Sequence, residues 1–373
     1  MLQKLLVIIG TRPEAIKLAP VVAAIERSTW AQCEVVLTGQ HKELIEPLVA
    51  QFGLRVNHNL NAMQENQSLA GVTARILQGL DELLVRIQPA AVIGQGDTAS
   101  VLAASMASFF RGIPFAHVEA GLRTGNIHLP FPEELNRVLT SRMTRWHFAP
   151  TATAQQNLLN EGYAAQNIWV TGNTVIDALH MMLNTPQAGG VAKLQTPARP
   201  GREFVLITAH RRENLGEPMR DICRAIAELA RQHPQLDFIY PVHPNPAVSQ
   251  VVNQALNGLD NVLLVEPCDY PVFCQLMSQA RLILSDSGGV QEEAPALGKP
   301  VLVLREETER PEAIEWGCNQ LVGTQFERIV NAANKLLSNA DAYQQMATAG
   351  SPYGDGQASA KILDVLQASL CKP

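Results

Sequence analysis

Twelve short apolar, β-branched runs, each trailed by a helical pattern, restrict this chain to few folds. In the first half they cover 4–9, 34–38, 91–94, 114–118, 146–149 and 168–171. In the second they cover 204–208, 237–242, 262–266, 281–285, 301–304 and 320–322. Their apolarity is continuous rather than alternating, which suits strands buried on both faces of a parallel sheet. Strand and helix in alternation then predict an α/β chain of two doubly wound, Rossmann-like domains. The length agrees, because 373 residues exceed what one hydrophobic core usually serves. A stretch rich in proline and glycine at 184–201 reads as the linker. The helical pattern at Ala358–Leu370 follows a turn-rich break and suits packing on either domain. Ligands of doubly wound sheets sit beyond the carboxyl ends of the strands, so two such domains facing each other would hold an active site in the cleft between them.

The most specific run for chemistry is 285–313, S-D-S-G-G-V-Q-E-E-A-P-A-L-G-K-P-V-L-V-L-R-E-E-T-E-R-P-E-A. It follows an apolar strand and opens a helix. Ser287, Gly288 and Gly289 leave backbone N–H groups bare at the positive helix end, a place for an anion. Glu292 and Glu293 lie one turn further on, within reach of sugar hydroxyls, and Arg310 follows the next strand as a phosphate clamp. Such a run can hold a nucleotide diphosphate without a P-loop.

Other strand ends carry polar groups. Gly10-Thr11-Arg12-Pro13-Glu14-Ala15-Ile16-Lys17 closes the first strand with two cations, Arg12 and Lys17, which read equally as a solvated helix start. Gly94-Gln95-Gly96-Asp97 lacks the third glycine of a dinucleotide loop, and Asp97 taken singly reads more readily as a helix N-cap. Glu119 ends another strand, and Glu133 and Glu134 open a helix, where the dipole alone favours acids. Convergence changes the balance. Asp97, Glu119 and Glu133 all fall at the carboxyl end of one expected sheet, where crowding or burial would raise at least one pKa toward neutrality and suit it to proton transfer. In the second half, His210-Arg211-Arg212-Glu213-Asn214 and His243 also end strands and face an anionic ligand in this reading.

Several classes are disfavoured. The formal charge of -6 gives no reason to expect nucleic acid or an anionic membrane as partner. No metal motif and no G-x-S-x-G elbow is present, so neither a metal nor a serine nucleophile is expected. Six scattered cysteines, no 18-residue apolar stretch and no signal-peptide pattern lead to the expectation of a cytoplasmic protein that does not cross a membrane.

An ordered series of motifs adds to this reading: G-T-R-P-E-A-I-K, G-D-T, H-V-E-A-G-L-R-T, P-x-P-E-E-x-N-R, T-G-N-T-V-I-D-A, A-H-R-R-E-N, P-V-H-P-N-P, the 285–300 run and T-E-R-P-E-A. With them the chain resembles, over nearly its whole length, the bacterial non-hydrolysing UDP-N-acetylglucosamine 2-epimerases. The resemblance implies a glycosyltransferase-B-type arrangement, with domains at 1–176 and 177–357 and the helix at 358–373 returning to the first. It implies a homodimer without cofactor that interconverts UDP-N-acetylglucosamine and UDP-N-acetylmannosamine. It further implies anti elimination of UDP to 2-acetamidoglucal followed by re-addition, serving surface polysaccharide synthesis. Carried over by motif, Asp97, Glu119, Glu133 and His210 are catalytic. Arg12, Lys17, Asp97, Glu119, His210, Phe273, Ser287, Gly288, Gly289, Glu293 and Arg310 bind substrate. Gln40, His41, Gln67, Arg137, Arg211, Glu213 and His243 would take a second, activating UDP-N-acetylglucosamine. A UDP-sugar glycosyltransferase, a hydrolysing epimerase and a silent UDP-sugar sensor are the alternatives, the last expected to lack the three carboxylates.

Overall fold

The computed structural model describes residues 2–39, 42–64, 67–184 and 197–371, with residues 42–44 given by backbone alone. Most of the expected linker (185–196), together with Gln40 and His41, lies outside the described residues. The chain divides into two compact units, Met1–Met181 with Tyr353–Pro373, and Met182–Pro352.

In chain order the first unit runs β1 (Gln3–Ile9), α1 (Arg12–Arg27), β2 (Ala31–Leu37), α2 (Lys42–Gln51), β3 (Val56–Asn59), α3 (Leu69–Ile87) and β4 (Ala91–Gln95). It continues through α4 (Ala99–Phe110), β5 (Phe115–Val118), α5 (Glu133–Met143), β6 (Trp146–Ala149), α6 (Ala152–Asn160), β7 (Ile168–Val170) and α7 (Thr174–Asn184). Its strands form one sheet in the order β3-β2-β1-β4-β5-β6-β7, with every pairing parallel. Residues Leu5–Ile9 of β1 have no exposed surface, as a central strand covered on both faces requires. Helix α3 shows how sequence makes the covering layer. Ser68 caps its start by accepting the Gly71 N–H, and Val72, Ile76, Leu80, Leu83, Leu84 and Ile87 form its buried stripe at helical spacing.

The second unit runs β8 (Phe204–Thr208), α8 (Glu217–Gln232), β9 (Asp237–Pro241), α9 (Pro246–Leu256), β10 (Val262–Val265), α10 (Tyr270–Gln279), β11 (Leu282–Ser285) and α11 (Gly288–Ala296). There follow β12 (Val301–Val303), α12 (Pro311–Glu315), β13 (Asn319–Leu321), α13 (Phe326–Ser338) and α14 (Ala340–Ala347). The sheet order is β10-β9-β8-β11-β12-β13, again parallel throughout. Both units are doubly wound α/β sheets, and each of the twelve apolar runs is a strand. The strand that apolarity does not reveal is β3, V-N-H-N, at the edge of the first sheet. It alternates half-buried and exposed residues, and its Asn57 and His58 bond Val35 N–H and Glu34.

The last helix, α15 (Ala358–Leu370), belongs to the first unit. The division falls after Met181 rather than after residue 176, and again before Tyr353 rather than after residue 357. Hydrogen bonds explain both shifts. The first turns of α7 are buried, and Asp177 accepts the N–H groups of Ala358 (3.2 Å) and Ser359 (2.8 Å), capping α15 from outside its own sequence. Asn173 N–H donates to Tyr353 O at 2.7 Å, and the Trp146 indole N–H to Ser369 Oγ at 3.1 Å. Among the described residues no helix is long and apolar enough to cross a membrane.

Removing the cap should loosen α15. Asp177→Ala is expected to cost roughly 1–2 kcal/mol and to speed amide exchange at Ile362–Leu366; unchanged protection by hydrogen-exchange mass spectrometry would refute the capping role.

Candidate active site

In each sheet the strand order reverses once, between β1 and β4 in the first and between β8 and β11 in the second. Loops leaving adjacent strands there diverge to opposite faces, and polar side chains gather at the opening.

At the first reversal the chain leaves β1 through Gly10. A side chain there would put its Cβ 2.2 Å from Ser100 Oγ and 2.9 Å from Thr38 Oγ1, so only glycine lets this turn close on α4. Helix α1 then carries Arg12, exposed, and Lys17, whose Nζ lies 2.5 Å from Glu119 Oε2. Glu119 follows β5 with a left-handed backbone (φ 63), uncommon for a residue with a side chain. Its Oε2 also accepts a hydrogen bond from Gln95 Nε2 at 3.0 Å.

Asp97 follows β4, but it is not the N-cap of α4. Thr98 holds that place, its Oγ1 accepting the Val101 N–H. The Asp97 carboxylate is thereby available to Arg137 Nη2 at 2.6 Å, while its backbone carbonyl accepts from Asn136 Nδ2 at 2.8 Å. Burial raises its pKa; Arg137 and Lys17 oppose that shift and Glu133 adds to it. The two acids that open α5 therefore separate. Glu134 is buried and accepts the N–H groups of Thr124 (3.0 Å) and Gly125 (3.1 Å), holding the preceding loop, whereas the charge of Glu133 acts on Asp97. His117, buried under the turn, bonds Gly96 O at 2.7 Å, and burial keeps it neutral with a pKa lowered to about 3. Asp97, Glu119 and Glu133 thus occupy the end of one sheet with Lys17 and Arg137 among them. Arg137, expected in an activator site, pairs with Asp97 and Glu134.

At the second reversal the organising group is Asp286, fully buried after β11. It accepts the N–H groups of His210 and Arg211, both at 2.8 Å, and Asn214 Nδ2 at 2.9 Å, pinning the loop after β8. That loop presents His210 stacked on His243, with centroids 5.2 Å apart and planes 8° from parallel. Burial is the main cause lowering the His210 pKa. Ser287 stands at the N-cap of α11 without a side-chain cap bond. Its own N–H, expected to be bare, donates to Ser285 Oγ at 3.0 Å, so the open amides are those of the glycines. A Cβ on Gly288 would lie 3.4 Å from Arg211 Nη2 and 3.8 Å from Arg310 Nη2. Two guanidinium groups therefore converge over bare amides at a helix start, a setting for a diphosphate. Arg310 is oriented by Glu292, and its N–H donates to Thr308 Oγ1, which in turn donates to Gln291 at 2.6 Å. Glu293, two turns into the motif and buried, accepts from Tyr270 Oη at 2.9 Å. Phe273 is half-buried on the same helix as Tyr270. Of the remaining expected residues, Glu213 pairs with Arg305 at 2.8 Å and Gln67 bonds Arg75 and the Gln64 N–H.

Sequence reasoning missed the residues that hold these groups: Glu14, Gln95, Asp286, Asn214 and Tyr270. Asp286 carried a usable signal, an acid set between two serines at the end of an apolar strand. Gln95 carried none, since its role depends on a strand neighbour distant in sequence. Among the described residues no cluster of His, Cys, Asp and Glu could hold a metal ion.

A family model described as UDP-N-acetylglucosamine 2-epimerase matches residues 23–367. A Yersinia pestis protein named UDP-N-acetylglucosamine 2-epimerase is 47% identical over 369 residues, covering 98% of both chains. Its namesake from Escherichia coli K12 is 45% identical over 369 residues, again 98% of each. The crystal structure of the Neisseria meningitidis enzyme bound to UDP-GlcNAc superposes with a TM-score of 0.88 at 43% identity, over 98% of this chain and 100% of that one. The Methanocaldococcus jannaschii enzyme in complex with UDP-GlcNAc and UDP gives 0.78 at 32% identity, over 98% and 99%.

The ion pair at Asp97 has a direct test. Because Arg137 lowers the Asp97 pKa, Arg137→Met should raise it further. Carbon-13 NMR titration of the Asp97 carboxyl, assigned with Asp97→Asn, should show the upward move; an unmoved titration would mean that the pair contributes nothing.

Proposed function

The chain belongs to the UDP-N-acetylglucosamine 2-epimerase family and is an isomerase, and from that premise we propose a route through elimination and re-addition of UDP. A carboxylate removes the proton from C2 of the sugar while the C1–O bond breaks and UDP departs with the bonding pair, leaving 2-acetamidoglucal. UDP then adds back to C1, and a proton enters C2 from the opposite face. The product, UDP-N-acetylmannosamine, would feed surface polysaccharide precursors.

The observation that carries this reading is the gathering of Asp97, Glu119 and Glu133 at one sheet end, with burial raising the proton affinity of Asp97. A C2 proton is barely acidic, so its removal needs a base held close and a leaving group well stabilised. Asp97 and Glu133 would handle the C2 proton. Glu119, paired with Lys17 and held by Gln95, would stand beside the oxocarbenium-like C1. Arg12, Lys17, His210, Arg310 and the amides of Gly288 and Gly289 suit the negative charge that grows on UDP. Glu293, anchored by Tyr270, would take the ribose, and Phe273 the uracil.

A second UDP-N-acetylglucosamine is proposed as activator through Gln40, His41, Gln67, Arg137, Arg211, Glu213 and His243. The stack of His243 on His210 supports that pairing, because a ligand on one ring bears on the other. Two copies of the chain would pair through apolar side chains exposed on adjoining helices, Phe109 and Phe110 of α4 with Leu135 and Leu139 of α5.

In D₂O, proton NMR of wild type with UDP-N-acetylglucosamine should show UDP-N-acetylmannosamine deuterated at C2 without lasting release of UDP. Asp97→Asn and Glu133→Gln should each slow C2 exchange by about 10²–10⁴-fold. Wild-type exchange in both variants would end the carboxylate assignment, and accumulating UDP with free N-acetylmannosamine would mean a hydrolysing enzyme instead. Separately, UDP-N-acetylmannosamine alone should turn over with a lag that a trace of the glucosamine epimer removes; lag-free hyperbolic kinetics would exclude the activator.

A further inference from the structure

Glu14 is 2% exposed, a carboxylate in the core of the first unit that the proposed reaction does not use. Its Oε2 accepts the N–H groups of Gly10 and of Thr11, the latter at 3.0 Å, and its Oε1 accepts the Thr98 hydroxyl at 2.5 Å. The bond to Thr11 is one half of a capping box at the start of α1. A capping box needs neither full burial nor a partner on another loop, and Glu14 has both. Thr98 is next in sequence to Asp97 and caps α4 through Val101 N–H. One carboxylate therefore joins the turn that carries Arg12 and Lys17 to the turn that carries Asp97.

We infer that Glu14 is a positioning residue of the epimerisation site, a buried carboxylate that joins these two turns and acts on Asp97 through its charge. The inference rests on the functional reading above. Burial raises the Glu14 pKa from 4.5 to about 7 against the three hydrogen bonds that favour its charge, and Asp97 adds to the rise. Below that pH Glu14 is protonated and donates to Thr98 Oγ1; above it Glu14 is an anion beneath Asp97. The charged group acting on Glu14 from another element is Asp97, while Arg12 and Lys17 lie on its own helix. Asp97 is in turn acted on by Arg137 and Glu133 of α5 and by Lys17. An anionic Glu14 repels the Asp97 carboxylate and strengthens it as a base, so turnover should rise as pH passes through about 7.

Glu14→Gln is the isosteric mimic of the protonated form, with Oε1 accepting both N–H groups and Nε2 donating to Thr98. Its kcat for UDP-N-acetylglucosamine should match wild type near pH 6. By pH 8.5 it should fall behind about threefold, the share of one pKa unit on a neighbour that a partial proton transfer passes to the rate, with KM and thermal midpoint little changed. Thr98→Val removes a hydrogen bond that lowers the Glu14 pKa, so it should move the wild-type inflection to higher pH. A Glu14→Gln deficit that is the same at every pH would reduce Glu14 to a structural cap and overturn the inference, as would an inflection unmoved in Thr98→Val. If Glu14→Gln does not fold, Thr98→Val decides alone. A wild type that forms no epimer overturns the functional reading and this inference with it, whereas an active wild type with an indistinguishable Glu14→Gln profile overturns the inference only.

Discussion

Because helices cover both faces of both sheets, the strand interiors must be apolar, and ionisable groups meant for chemistry have to be carried beyond the carboxyl ends. The structure depends on this constraint at every level. Leu5–Ile9, Val205–Ile207 and Leu282–Leu284 are without exposed surface, while the residues that follow them are glycines, acids, histidines and hydroxyls. The reversal of strand order opens a gap at one such end in each sheet, and the candidate groups of each unit collect around it.

Carrying charge at a strand end brings a desolvation cost, and the two units meet it differently. In the second, Oδ2 of the fully buried Asp286 accepts two backbone N–H groups and one amide, which shapes the loop that bears His210 and Arg211. Its role is architectural. In the first unit, burial shifts the proton affinity of two acids. Asp97 has Arg137 yet keeps a raised pKa, and Glu14 has three donors yet is raised to about 7. Such a shift is what leaves a carboxylate able to exchange protons near neutrality. The same contrast divides the neighbouring acids of α5: Glu134 is consumed by the Thr124–Gly125 loop, whereas Glu133 bears on Asp97.

Helix termini are placed with similar economy. Thr98 takes the N-cap of α4, which frees Asp97 from a role that its position invites, and Asp177 caps α15 from across the chain. The second arrangement explains why the C-terminal helix, whose own N-cap residue Gln357 makes no side-chain cap bond, is held to the first unit.

The sequence alone determined the α/β class, because a strand buried on both faces must be written in continuous apolar residues, and the twelve runs are strands. It also marked the strand-end segments that carry Asp97, Glu119, His210 and the Ser287–Gly289 turn, and the helix start that carries Glu133, through their convergence rather than through any one residue. It could not show β3, whose edge position permits polar residues, nor that Asp97 escapes capping, which depends on the hydroxyl one residue later taking the Val101 N–H. Nor could it show that Gln95 and Lys17 share one oxygen of Glu119, or that Glu14 spans two turns. Those partners are separated by 24 to 102 residues, and burial, which raises the Glu14 pKa, exists only once the sheet has formed.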